Sequence, residues 1–495
     1  MHVFVSGATG FVGRALVQSL LGRGDQVTAW VRDPQRARQR LGPAVQLCST
    51  QLSQAALAER LSEVDAVVNL AGESLLAKPW TRARQRRLRT SRVELTQQLV
   101  AACAAAARPP RTFISASAVG YYGDSGACEL TEDSPRGDGF LAELCEAWEH
   151  AALGEQAYAR RVLLLRIGIV LGADGGALAA MLPTFRLGLG GRLGDGKQYV
   201  PFIHLTDLLS VIMQGLTDER FSGPVNCTAP DPVTARELAR VLGRALRRPA
   251  FLPVPKLALR LVLGRRAQVV LQSQRALPAR LTQLGFGFQH ASLPDALAQC
   301  VTRAATVSIR AAHGGDRLPE RRQPSYVLEH RSRLHVPLAE AFAFFCRAEN
   351  LGLITPSWMH FELTGAPPSA IGEGTEIRYR IGLGPVVLHW RTIIRSWQPP
   401  ALFVDTQAEG PYALWWHEHH LQADGDSTLM LDRVCYRPPL GWLGRAVHPW
   451  LIGPALRAIF GYRGEAIARL FGPRGPASFQ DAGPSHLSAA SARGV

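Results

Sequence analysis

Gly7-Ala8-Thr9-Gly10-Phe11-Val12-Gly13 follows directly on the strand-like run His2 to Ser6 and opens a segment of helical periodicity. Few folds satisfy that order. A tight turn from strand to helix needs a residue tolerant of positive φ, a closely approaching phosphate forbids a Cβ at the second glycine, and strand–helix packing forbids one at the third. Gly7, Gly10 and Gly13 meet these needs in turn. The free amides at the helix start then face an anion, so the spacing predicts a pyrophosphate-binding turn, with Thr9, Phe11 and Val12 beside the ligand.

The next strand-like run, Gln26 to Val31, is followed by Arg32-Asp33. An acid at this position hydrogen-bonds the ribose hydroxyls of NAD, whereas a guanidinium pairs with a 2′-phosphate. Arg32, with Arg36 four residues on, predicts NADP(H). Asp33 keeps NAD(H) as the alternative, or else caps a helix beginning at Pro34.

From residue 1 to about 300, short β-branched runs alternate with Ala/Leu/Arg-rich helical segments, the pattern of a parallel sheet covered by helices. Ala66 to Leu70, Arg111 to Ser115 and Val162 to Ile167 are further predicted strands. Gly13 to Leu21, Ala55 to Leu61, Arg82 to Ala107 and Leu141 to Leu153 are predicted helices. After Gly172 the alternation weakens, which predicts a small substrate-covering lobe over about 172–300. The fold class is therefore α/β, a doubly wound Rossmann sheet with a small lobe. Residues 301–325 read as a polar linker, and 326–472 as an α+β domain with a Phe/Ala helix (Phe342, Phe344, Phe345), several strands and a long closing helix. The Ser/Ala/Gly/Pro-rich tail 473–495 is predicted to be disordered.

Asn69-Leu70-Ala71-Gly72, Ser115-Ala116-Ser117-Ala118-Val119-Gly120-Tyr121-Tyr122-Gly123, Trp148-Glu149, Leu165-Arg166-Ile167-Gly168, Asp174-Gly175-Gly176 and Phe202-Ile203-His204-Leu205-Thr206-Asp207 carry a family resemblance. Residues 1–300 resemble the extended and atypical short-chain dehydrogenase/reductase superfamily, and within it the "epimerase family" group of NAD(P)-binding proteins. The resemblance implies cofactor contacts from Leu70, Ala71, Gly72 and Arg166, and places His204 and Asp207 in the substrate lobe. In that superfamily a Tyr-x-x-x-Lys pair moves the proton and a Ser polarises the substrate oxygen. Ser117 is present here, but the corresponding helix reads Gly139-Phe140-Leu141-Ala142-Glu143-Leu144-Cys145, and lysine occurs only at Lys78, Lys197 and Lys256. Proton donor and activating cation are both missing. Tyr121 and Tyr122 are the substitute acids, Glu73 is a further ionisable candidate, and Lys197 is a candidate contact for an anionic substrate group. An oxidoreductase or epimerase-like enzyme acting on a small molecule is expected, or alternatively a non-catalytic NADP(H)-binding sensor or scaffold.

The stretch 326–471 resembles the START-like, helix-grip superfamily that includes polyketide cyclases, which implies an apolar ligand in a cavity lined by Trp390, Trp397, Phe403, Trp415 and Trp416. That cavity could itself be a cyclase or lyase site. His417 and His419 share one strand face and His389 lies on a neighbouring strand. With no carboxylate at a matching spacing, hydrogen-bonded histidines are expected rather than a metal.

Composition excludes several classes. The formal charge of +15 is carried by arginines scattered through amphipathic segments, with no aromatic-interleaved basic motif, so nucleic acid is not an expected partner. Eight cysteines without a C-x-x-C spacing read as reduced thiols. Pro439 to Gly461, the most apolar late stretch, is interrupted by Arg445 and Arg457, so no membrane span is expected, and the absence of a signal-like start predicts a cytoplasmic location.

Overall fold

The computed structural model describes residues 1–471, apart from 155–157, 160, 173–174, 187, 302–306, 320–321, 366–367, 369 and 384–385. Asp174 and the tail 473–495 lie outside the described residues.

Seven strands form one parallel sheet: β1 (His2–Ser6), β2 (Gln26–Val31), β3 (Gln46–Ser49), β4 (Ala66–Asn69), β5 (Thr112–Ala118), β6 (Arg161–Ile167) and β7 (Gly223–Cys227), in the order β7-β6-β5-β4-β1-β2-β3. The winding reverses between β1 and β4, which opens a crevice at their carboxyl ends. Helices cover both faces, so the strands are buried almost throughout, as parallel sheets require. Side chains alternate across the pleat. Val3 and Val5 join Leu16, Val17 and Leu20 of α1 (Phe11–Gly22) on one face, while Phe4 joins Leu57 and Leu61 of α3 (Gln54–Ser62) and Leu99 of α4 (Leu95–Ala104) on the other. Each fully buried Leu or Val contributes about 1.5–3 kcal/mol.

β3, β7 and α2 (Pro34–Leu41) escape the periodicity reading. β3 has only four residues, and β7 contains Gly223 and Pro224. Pro224 is tolerated because β7 is the sheet's edge. The single helix expected over Arg82 to Ala107 is divided into Arg82–Arg89, a π turn Thr90–Glu94, and α4. Ser91 Oγ donates to Leu88 O at 3.0 Å there, drawing the helix ladder out of register. α5 (Phe140–Leu153) matches its expected span closely.

Eight strands form a second, antiparallel sheet: β8 (Val307–Ala311), β9 (Tyr326–Leu334), β10 (Glu362–Leu363), β11 (Glu376–Leu383), β12 (Val386–Gln398), β13 (Leu402–Glu409), β14 (Leu414–Asp424) and β15 (Ser427–Arg437), in the order β8-β9-β15-β14-β13-β12-β11-β10. The closing helix α6 (Gly453–Phe471) lays Leu456, Phe460, Ala466 and Ile467 on one face. The sheet begins at Val307, inside the segment expected as linker. Asp316 fastens that segment with ion pairs to Arg310 and Arg433 at 2.7 and 2.9 Å. Among the described residues no helix is long and apolar enough to cross a membrane.

Candidate functional site

The glycine turn sits at the carboxyl end of β1. Gly7 has φ +69°, and a Cβ there would lie 2.6 Å from Leu70 O, so the backbone of Leu70 and Ala71 approaches where only glycine fits. A Cβ at Gly13 would fall on the Gly7 carbonyl and lie 2.8 Å from Ala8 Cα. Gly10 N–H donates to Gly7 O at 2.9 Å and caps α1 with no side-chain partner, leaving the first helical amides free for an anion.

Thr9, Gly10 and Phe11 line a cleft of about 1200 Å³ that is closed on its far side by Trp358, Tyr412 and Trp450 of the second domain. Val12 instead packs against the core beneath β1. Six arginines line the cleft: Arg36, which the sequence offers as a cofactor contact, and five that sequence reasoning missed, Arg14, Arg40, Arg247, Arg248 and Arg457; Arg14, Arg36 and Arg40 come from α1 and α2. Burial and the charges of Arg36 and Arg14 lower the Arg40 pKa. Helical spacing could have found Arg40, four residues after Arg36 on α2. Arg32 does not line the cleft. Its side chain is 81% exposed and lies 3.9 Å from Glu73, because it leaves the strand on the side of the Glu73 loop. Asp33 accepts from Arg36 N–H at 3.0 Å as the N-cap of α2, which occupies the acid expected on a ribose.

Ser117, Tyr122 and Arg166 meet, but in the interior. Ser117 Oγ donates to Glu149 Oε1 at 2.7 Å, and Glu149 takes Arg166 in a bidentate pair with both contacts at 2.9 Å. Arg166 Nη1 also donates to Tyr122 Oη at 2.9 Å and to Glu132 O at 3.0 Å. Tyr122 Oη faces Asn226 Oδ1 at 2.8 Å and Thr131 O at 2.9 Å. The expectation that Arg166 contacts cofactor is therefore corrected, since four of its five N–H donors go to Glu149, Tyr122 and Glu132 and the side chain is buried. The expectation of Tyr122 as an acid is corrected as well. The phenol is 1% exposed, its hydrogen bonds are filled, and burial pushes its pKa up to about 12. Burial opposes the Arg166 charge, but Glu149 and Tyr122 outweigh it and hold the group charged.

Tyr121 remains half-exposed, with Arg166 Cζ 3.7 Å over its ring. Cys145, on α5, is buried, which pushes its thiol up to about 12. Glu149, Asn226 and Glu132 were not foreseen in these roles. They sit on separate elements with no shared spacing to mark them.

The loop after β4 is rigid for other reasons. Asn69 accepts from Ser6 Oγ at 2.6 Å and donates to Thr96 Oγ1 at 2.8 Å. Gly72 leaves room for Arg92, whose Cζ would lie 3.0 Å from a Cβ there. Glu73 is bound by Arg84 and Arg87. Burial opposes its charge, yet those hydrogen bonds hold the carboxyl below its usual range, which leaves it a poor acid. His204 caps the helix Leu205–Thr217 by accepting from Thr206 N–H at 3.2 Å. Asp207 accepts from the backbone N–H groups of Gln289 and His290 at 2.7 and 3.1 Å. Lys197 is exposed on its loop.

The second domain holds a cavity of about 260 Å³ between sheet and α6, lined by Trp390, Phe403 and Trp415 among other apolar groups. Its polar floor comes from four strands and the helix. Asp405 lies opposite His417 in the β13/β14 register, His419 opposite Asp432 in β14/β15, and His330 opposite Asp432 in β9/β15. Arg463 of α6 meets Asp432 at 3.3 Å. This corrects the expectation that no carboxylate accompanies His417 and His419. It also removes His389, which is exposed on β12 next to buried Trp390. Ligand atoms of Asp405, His417 and His419 lie within 4.8 Å of one another and could hold a metal ion. Burial, with His419 beside it, pulls the His417 imidazole down to about 4. Burial opposes the Asp405 charge, but His417, His419 and Arg463 hold that carboxyl below its usual range.

Sheet order, glycine turn and arginine-lined cleft together define a dinucleotide-binding Rossmann protein. A model of the NAD dependent epimerase/dehydratase family matches residues 3–226, and one of a domain of unknown function (DUF1731) matches 254–300, both before the second sheet begins. Similarity extends to the chloroplastic "Epimerase family protein SDR39U1 homolog" of Arabidopsis thaliana, 40% identical over 300 residues (60% of this chain, 86% of that one). It extends also to human "Epimerase family protein SDR39U1", 39% identical over 305 residues (61% of this chain, 100% of that one). A crystal structure of human SDR39U1 (isoform 2) with NADPH aligns at TM-score 0.56 and 38% identity, covering 61% of this chain and 99% of that chain. The chain belongs to the epimerase family of NAD(P)-binding proteins.

Proposed function

We propose that the chain is an NADP(H)-dependent oxidoreductase or epimerase-like enzyme acting on a small molecule, with a START-like helix-grip domain that holds an apolar ligand. The observation that carries the reading is the trio Arg14, Arg36 and Arg40 beside the glycine turn. None of the three has a carboxylate within ion-pair distance among the described residues. Three unpaired guanidiniums suit a 2′-phosphate better than a ribose hydroxyl. The NADPH named for the human relative supports the same choice. Tyr121, with the Arg166 cation against its ring, is the accessible phenol–cation pair left to move a proton. The apolar lining of the second cavity and the long helix over its sheet support the helix-grip reading.

A specific observation favours a second reading, a non-catalytic NADP(H) sensor: the Ser117 and Tyr122 hydroxyls are both spent inside the protein. Calorimetry with NADPH and NADH, followed by NADPH oxidation against a panel of carbonyl compounds, separates the two. The enzyme reading expects tighter NADPH binding and a turnover lost in Tyr121→Phe. Binding without turnover across the panel leaves the sensor.

A further inference from the structure

In the floor of the second cavity, two imidazoles and a carboxylate bring a nitrogen, a nitrogen and an oxygen within 4.8 Å of one another. Asp405 Oδ2 lies 3.0 Å from His419 Nε2 and 3.5 Å from His417 Nδ1. The other ring nitrogens both face Asp432 Oδ1, His419 Nδ1 at 2.8 Å and His417 Nε2 at 3.2 Å. His417 Nε2 is hydrogen-bonded to Asp432 Oδ1, so its one N–H points there and the Nδ1 turned to Asp405 is a lone pair. His419 is hydrogen-bonded to Asp405 through Nε2, with Arg463 Nη2 and Asp432 Oδ1 facing its Nδ1. A cation between the three would take the place of the His419 Nε2 proton, and Asp432 would then receive the N–H at Nδ1, so metal and proton compete for one position.

The surroundings are built to hold that arrangement. Asp432 is 1% exposed in its side chain, and its other oxygen, which has no hydrogen bond, lies at ion-pair distance from Arg463 Nε (3.3 Å) and His330 Nδ1 (3.7 Å). Arg463 Nη2 also lies 3.4 Å from His419 Nδ1, farther than Asp432 does. Gly464 leaves space for His330, whose Cε1 would lie 2.7 Å from a Cβ there. One carboxylate thus faces the outer nitrogens of both imidazoles, the place from which an outer acid orients metal-binding histidines. The spacing is compatible with a metal: nitrogen and oxygen ligands about 2.0–2.1 Å from a tetrahedral ion lie about 3.3 Å apart, near the 3.0 and 3.5 Å edges made by Asp405 with the two imidazoles.

We propose that Asp405, His417 and His419 bind one divalent first-row transition-metal ion, with Asp432 as the shared outer carboxylate and the remaining coordination position open to the apolar cavity. Two imidazoles and one carboxylate suit zinc or iron(II) rather than calcium or magnesium. An apolar molecule bearing a carbonyl or hydroxyl oxygen would complete the coordination from the cavity side. The assignment rests on side-chain geometry and is independent of the nucleotide reading.

The test uses the full chain, stripped with a chelator and titrated with Co²⁺, followed by visible ligand-field absorption and metal analysis. One equivalent per chain is expected, with tetrahedral absorption intensity. The double variant His417→Gln/His419→Gln is expected to lose it, while Asp432→Asn weakens binding by about 10- to 100-fold. His420→Gln, which alters a neighbouring histidine paired with Glu418, is expected to bind as the parent does. Circular dichroism and nucleotide binding report whether each variant has folded. If the double variant does not fold, X-ray absorption of the parent's Co²⁺ complex decides, with two imidazole scatterers expected. Absence of stoichiometric Co²⁺ binding by the parent, an undiminished equivalent in a folded double variant, or a Co²⁺ spectrum without imidazole ligands overturns the proposal.

Discussion

The two cavities of this chain handle charge in opposite ways. In the cleft beside the glycine turn, Arg14, Arg36 and Arg40 form no ion pair among the described residues, the carboxylate on the wall, Glu362, being paired with Arg380, and the glycine turn adds unspent amides. In the second cavity Asp405, Asp432, His417, His419 and Arg463 answer one another behind aromatic walls. An unbalanced cluster reaches outward and is completed by a ligand's charge, whereas a balanced one fixes the orientation of its own members. The first site should therefore lose binding when it is damaged, and the second should lose stability.

The sharpest break is expected at Asp432. Replacing it with Ala leaves Arg463 buried without its counter-charge, and stranding a buried charge costs about 3–5 kcal/mol. Denaturant unfolding followed by tryptophan fluorescence should show that loss in the second domain, with nucleotide affinity nearly unchanged. A change below about 1 kcal/mol, typical of solvent-screened pairs, would contradict the balanced picture. The mirror experiment is Gly13→Ala, where the added methyl meets the Gly7 carbonyl and Ala8 Cα. NADPH affinity should fall by about 100-fold, or about 2.7 kcal/mol, while the second domain unfolds as before. Calorimetry measures the first effect and fluorescence the second.

The same contrast explains what could be read from the sequence. The nucleotide site is built largely from consecutive residues around one turn, so Gly7, Gly10 and Gly13 announce it. Arg32 misleads because a side chain leaving a strand end can take either side of the crevice, and periodicity does not say which. Asp405, His417, Asp432 and His330 become neighbours only through the registers of four strands, and Asp405 and His417 are twelve residues apart in the chain. A one-residue slip would send His417 to the opposite face, so the cluster is invisible until register is known. Ser117, Tyr122 and Arg166 were recognisable as a group. That their hydroxyls and guanidinium face inward depends on Glu149, Glu132 and Asn226, which come from three separate elements or loops.

A finer probe of the unbalanced cleft removes its charges singly. Arg36→Ala and Arg40→Ala should each weaken NADPH by about tenfold, the scale of one charge-assisted contact, and leave NADH within about twofold. The difference between the two nucleotides should shrink with added salt. Equal losses for both nucleotides would place the arginines on the pyrophosphate instead.

The smallest expected effect concerns the start of the second sheet. Hydrogen bonds from Arg310 hold the Asp316 carboxyl well below its ordinary value of 3.8, against burial that pushes it upward. Between the depressed folded value and 3.8 the unfolded chain binds more protons than the native one, so stability rises with pH through that interval. The contribution of Asp316 is therefore complete above about pH 3.8 and is lost as pH falls below it. Because Arg310 is 40% exposed, solvent screens the pair and the contribution is about 1 kcal/mol. Unfolding of the parent and of Asp316→Asn, compared from about pH 6 downward, should differ by that amount at the upper end and converge in acid. Two parallel curves would mean that Asp316 holds the β8 segment through its hydrogen bonds alone. In that case the ionic balance described for the second domain stops at the cavity and does not extend to the sheet's outer strand.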